Sequence, residues 1–355
     1  MPILGGFNIQ LTDCTFTGNN LTSQGGGSFN IVTATLTNCS FNNNTATSLG
    51  GGISNDANGN AILTDRSLFE TSANTGGGIY NDGNTPTLIT CNVVENTTDT
   101  WGGGMFNNGG NPIVTSCTFM GDSAFSGGRM FNAYSNPTVS DSIFNGNSAD
   151  SSCGVMHNIT GSPTLSHCTF SDNTATVYGG LMRNQSSSPT VSHCTFNGNS
   201  ADRGGGIYNF TGAIPEVSNC TFSGNSAESE GGGMYNSGSI PSVAHCSFIG
   251  NTADLNGGGM YNVVSSPIVN SCIFWSNSDV GGIDESAQIH TESGTPMVSY
   301  SNIQGGGGGG TGNIDADPLF IDDVGVDNTF GTEDDDQCTC WPARPASTPP
   351  TVHRW

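Results

Sequence analysis

Apolar and polar positions alternate in short stretches along this chain, and the stretches recur. In Cys220-Thr221-Phe222 and Met234-Tyr235-Asn236 successive side chains must point to opposite faces, the period-two signature of a β-strand. An Asn closes a Gly-rich box at Asn30, Asn55, Asn81, Asn107, Asn132, Asn158, Asn184, Asn209, Asn236 and Asn262, at intervals of 25 to 27 residues. In the same phase a Cys falls at positions 14, 39, 91, 117, 168, 194, 220, 246 and 272, with Ser67 and Ser142 filling two gaps. A Phe follows two residues on, at Phe16, Phe41, Phe69, Phe119, Phe144, Phe170, Phe196, Phe222, Phe248 and Phe274, with Val94 at the odd rung. The unit is P-x-V-x-x-C-x-F-x-x-N-x-A-x-x-x-G-G-G-(I/M)-Y-N.

A Gly triplet in every unit opposes a helix, at about 1 kcal/mol per Gly relative to Ala, and suits a corner where φ is positive. Short strands joined by Gly and Asn corners and repeated in register predict an all-β fold. The expected form is a right-handed parallel β-helix of about twelve coils of ~26 residues, the last being the degenerate Val298–Ile303. At ~4.8 Å per coil the rod would be about 55 Å long. A leucine-rich repeat has a similar period but needs several Leu per unit, and the chain holds twelve in all.

Stacked coils turn each consensus position into a column. The Phe column predicts an interior ring stack. The Asn30–Asn262 column and a second one (Asn19, Asn44, Asn147, Asn173, Asn199, Asn225, Asn251 and Asn277) predict amide ladders that satisfy corner backbone groups. The Cys column has no short metal-type spacing and reads as buried small hydrophobes, with occasional disulfides between coils as the alternative. His167, His193 and His245 share a column that reads as a surface ladder.

Composition narrows the partners. The 355 residues carry 29 Asp and Glu against 6 Arg and no Lys, a net charge of −23. That balance argues against nucleic acid, which needs clustered cations. No stretch is long and apolar enough to span a bilayer. The N-terminus lacks the basic and apolar regions of a signal peptide, so Met1 is expected to fall within a longer natural chain. The repeat domain is expected over residues 1–304, a Gly-rich acidic segment over 305–336, and a tail of foreign character over 337–355.

Four positions offer acid–base or ion chemistry in the coils. Asp202, Glu228 and Asp254 follow the Ala on consecutive rungs, after Asp150 and Thr176, and Arg203 sits beside Asp202. Stacked carboxylates repel, and either raise one pKa or recruit a cation. A solvated acidic edge is the bland alternative. Tyr80, Phe106, Phe131, Tyr208, Tyr235 and Tyr261, together with Phe29, precede the box Asn. If Ile or Met points inward they point outward, as a stripe suited to stacking on sugar rings or a protein partner. In the acidic segment Asp322, Asp323, Asp327, Asp334, Asp335 and Asp336 could ligate calcium through oxygen, although their spacing is not that of an EF-hand loop. Apart from calcium no cofactor is expected.

The pairing of F-x-x-N with G-G-G-(I/M), seen in Phe222–Asn225 and Gly231–Met234, resembles the repeat of polymorphic outer-membrane proteins. More widely, residues 9–303 resemble the pectin-lyase-like β-helix superfamily. Ser301–Phe320 is similar to the end of bacterial surface β-helix proteins that carry an anchoring region. Those proteins continue differently from Gln337–Trp355, which is why this tail is expected to be out of frame and Cys338 and Cys340 to carry no role. The resemblance implies a secreted or cell-surface bacterial protein. Its expected work is non-catalytic adhesion or contact with a polysaccharide, surface glycan or protein. A polysaccharide lyase or glycoside hydrolase on the same fold is the alternative, with Asp202 and Arg203 as its pair; an autotransporter passenger is a third.

Overall fold

The computed structural model describes residues 2–3, 9–306, 310–318 and 320. They form a solenoid of four parallel sheets, three of twelve strands and one of ten. One coil shows the pattern. Ile207–Phe210 lies in the first sheet, Glu216–Ser218 in the second, Thr221–Ser223 in the third and Ser226–Glu230 in the fourth. Each strand pairs with its equivalent one coil on, so that Tyr208 faces Tyr235 and Phe222 faces Phe248.

The corners explain the repeat. Between the second and third sheets the chain turns on one residue in the left-handed region, such as His193 (φ 54°) or Asn219 (φ 52°). Such a residue costs energy unless its side chain is small or polar. The next corner is followed by a fully buried Asn. Asn225 donates through Nδ2 to Asn251 Oδ1 (2.8 Å) and to the Phe196 carbonyl (3.0 Å), while its own N–H donates to the same Asn251 oxygen (3.0 Å). One amide thus ties three coils, because it combines an acceptor with two donors.

The Gly triplet serves three separate demands. Gly231 has φ 73°. A Cβ on Gly232 would lie 2.2 Å from the Thr252 carbonyl oxygen and 2.6 Å from that of Gly258. A Cβ on Gly233 would lie 2.6 Å from the Gly259 carbonyl oxygen and 2.9 Å from the Phe248 ring. Two backbone carbonyls crowd the middle position against one at the third, and backbone cannot yield as a side chain can, so the middle glycine is the strictest. The third position does admit side chains, at Arg129, Val155 and Leu181, all buried.

The interior is a set of stacks. The rings of Phe196, Phe222, Phe248 and Phe274 lie 4.4 to 4.5 Å apart and nearly parallel. The expected column is corrected at two rungs. Leu68, not Phe69, pairs with Phe41, and Val93, not Val94, pairs with Leu68. The extra residues between Cys39 and Ser67 are taken up before the second-sheet strand, which shifts the alternation by one. Arg66, rather than Ser67, therefore stands in the Cys column. The rod ends in a cap the repeat did not announce. A short helix, Glu285–Gln288, places the Gln288 amide on Asn277, where the Asn ladder would otherwise leave that group open.

Candidate functional site

The aromatic column points away from the coil interior, as alternation requires, but it is not open to solvent. Tyr208, Tyr235, Tyr261, Phe106 and Phe131 are 5 to 8% exposed, and Tyr80 is half-buried. Two causes combine. The rings stack on one another, Tyr208 on Tyr235 at 4.9 Å and Tyr235 on Tyr261 at 5.1 Å. Residues just before the Gly triplet then reach over them. The Tyr178 ring lies 4.7 Å from Tyr208, the Trp101 ring 5.5 Å from Phe131, and the Arg203 guanidinium 5.9 Å from the Tyr235 ring centre. Burial raises the Tyr208 hydroxyl to about 12 and pushes Tyr235 and Tyr80 up as well. The expectation of an open stacking stripe at these six residues is corrected accordingly.

Midway along, the column changes chemistry. His157 takes the aromatic place above Phe131, and Arg183 follows it. His157 Nδ1 lies 3.0 Å from Ser126 Oγ, and its Nε2 lies 3.2 Å from an Arg183 nitrogen. Arginine cannot accept, so Nε2 carries the lone pair and Nδ1 the proton. Ser126 accepts from His157 and donates to the Ser152 carbonyl (3.2 Å). A serine in that role is not deprotonated by its neighbour, which a nucleophile would require. Burial, then Arg183, lowers His157 to about 3, so it is neutral.

The acidic column is assembled differently from the expected pair. The fourth-sheet register shifts between Ala201 and Arg203, and Arg203 comes to face Glu230. Its Nε lies 3.0 Å from Glu230 Oε2 but 3.9 Å from Asp202 Oδ2. Asp202 accepts from Ser229 Oγ at 2.5 Å. Glu228, Asp254 and Asp150 are exposed. Among the described residues no group of three His, Cys, Asp or Glu is placed to hold a metal ion. Asp322, Asp323, Asp327, Asp334, Asp335 and Asp336 lie outside the described residues. His167 and His193 stack on the surface at 5.0 Å.

Sequence reasoning missed the exposed aromatic pair. Trp101 is 45% and Phe125 54% exposed, and Trp101 is bridged to Ser126, so the two lie on adjoining rungs. Neither fits the consensus, and that departure was the available signal. It also missed Arg66, Asp122 and Arg129, each fully or almost fully buried at a position where other coils carry Cys, Asn and Gly.

The model of the family described as right-handed β-helix region matches residues 31–180, 78–253 and 179–317. These matches run through most of the chain, which belongs to that family. No curated protein and no solved structure matches the chain. Among the described residues no helix is long and apolar enough to cross a membrane.

Proposed function

We propose that this protein is a non-catalytic rod, secreted or displayed on a cell surface, that contacts a carbohydrate through one exposed face. The observation that carries this reading is the Trp101–Phe125 pair. Two large aromatic side chains stand half in solvent on neighbouring rungs of the scaffold; the Trp101 place holds Ser126, Ser152, Tyr178 and Arg203 in later coils, and the Phe125 place holds residues such as Asp202. Aromatic faces of this kind stack on sugar rings with little loss of side-chain entropy. The commitment of Arg203 to Glu230 also favours a binding role over the acid–base pair that a lyase or hydrolase would take from Asp202 and Arg203.

A glycan array run beside a reducing-sugar release assay tests this. Glycan binding that disappears in the Trp101→Ala/Phe125→Ala variant, with no sugar released by either protein, supports the proposal. Release of sugar by the parent protein, or binding unchanged in the variant, overturns it.

A further inference from the structure

Phe125 has a carboxylate on either side of it in its column. Asp99 lies on the rung before and Asp150 on the rung after, and all three side chains are exposed. The strand pairing fixes this order. Thr97 faces Ser123 and Ala124 faces Ala149, so the outward positions that follow them align, one rung or about 4.8 Å apart along the rod. Trp101, two residues after Asp99, is exposed as well, and it is seated against the rings of Phe106 and Phe131 at 6.2 and 5.5 Å. Two aromatic side chains are thus bracketed by two acids.

No cation of the protein answers these acids. The ion pairs among the described residues join Arg129 to Asp122 and Arg203 to Glu230 and Asp202, and involve neither Asp99 nor Asp150. Of the other described arginines, Arg66 is buried, and Arg183 is committed to His157 and to the rings of Tyr178 and Phe210. The face of an aromatic ring is itself the negative end of its quadrupole and attracts cations. Rings and carboxylates therefore favour the same charge in a ligand, and both disfavour a uronate.

Resting on the carbohydrate reading above, we propose that this face selects polysaccharides that carry free amino groups, hexosamine polymers without their N-acetyl groups, over neutral and uronic-acid polymers. A sugar ring stacks on Trp101 or Phe125, and its protonated amine lies against Asp99 or Asp150. The aromatic pair supplies the contact and the acids supply the choice.

The test measures binding of the full chain to oligomers of glucosamine, N-acetylglucosamine and galacturonic acid of equal length, at a pH where the amine is protonated. The glucosamine oligomer should bind about five- to tenfold more tightly than the N-acetylated one, the range expected for two exposed ion pairs. Added salt should shrink that advantage, and the galacturonate oligomer should bind most weakly. Asp99→Asn/Asp150→Asn should abolish the preference and leave the N-acetylated oligomer bound as before. Asn74 already fills this column one coil earlier, so the substitution suits the fold.

The two readings fail differently. Suppose binding is lost in Trp101→Ala/Phe125→Ala, but the amine brings no advantage, the Asn variant keeps the advantage, or galacturonate binds as tightly. This inference is then overturned and the carbohydrate reading stands. An amine preference that survives the loss of both aromatic side chains overturns both. If none of the three oligomers binds, this inference falls by itself and the glycan array decides the other.

Discussion

Arg129 and Asp122 form an ion pair inside the coil, Nε to Oδ2 at 2.9 Å, with both side chains wholly excluded from solvent. Each breaks the repeat. Asp122 stands in the turn column that is Asn in most coils and Thr71 in one, and Arg129 stands at the third glycine. The guanidinium also donates to the Asn147 side chain and, at 3.0 Å, to the Val93 carbonyl, and it packs 4.9 Å from the Phe119 ring centre. Asp122 accepts from the Asn96 backbone and amide at 2.6 and 3.1 Å. Burial raises the Asp122 carboxyl to about 6 despite Arg129. The two departures compensate for each other.

The pair should therefore behave as a unit. Asp122→Asn alone leaves a buried arginine uncompensated, and Arg129→Gly alone leaves a buried carboxylate, so each should cost about 3–5 kcal/mol. The double variant rebuilds the consensus rung and should lie within about 1 kcal/mol of the parent protein. Urea titration of all four proteins measures the coupling. Additive losses would show that the two side chains act independently.

Acid should destabilise the rod through His157. Its folded pKa is depressed, by burial first and Arg183 second, to about 3, against the ordinary value of 6.5. A depressed group contributes stability that is present above its unfolded pKa and is lost as pH falls towards the folded one. The window is thus pH 6.5 down to 3, with a slope approaching about 1.4 kcal/mol per pH unit for one proton. His157→Phe, which copies Phe131 one coil below, should flatten the unfolding midpoint over that window relative to the parent. Parallel pH profiles for the two proteins would remove this role.

The corner glycines divide into strict and lenient positions. Gly232→Ala forces a Cβ against two backbone carbonyls and should unfold or badly loosen the coils, at a cost above about 3 kcal/mol. The opposite holds at Cys153, which occupies a first-glycine position at φ 63°. Cys153→Gly relieves the left-handed backbone and should be neutral or raise stability by up to about 1 kcal/mol. Thermal unfolding of the two variants decides it. A melting temperature lowered several degrees by Cys153→Gly would mean that the buried thiol, which donates to the Leu181 carbonyl, outweighs the strain.

The candidate site was less legible than the coil. Tyr208, Tyr235 and Tyr261 were correctly placed on the outer side of their strand, yet their burial depends on Tyr178 and Arg203 reaching across, and nothing in the alternation encodes that reach. Arg203 was read with its sequence neighbour Asp202, whereas a shift of register hands it to Glu230, 27 residues away.

The repeat by itself determined the architecture: where the strands lie, which side chains face in, and that Phe, Asn and Gly form columns. It could do so because stacking identical coils converts a periodic code into contacts between equivalent positions. Tertiary structure alone decided which columns see water, which arginines meet an acceptor, and where an inserted residue slips the phase. Those outcomes depend on how far particular side chains reach across neighbouring coils, and reach has no period.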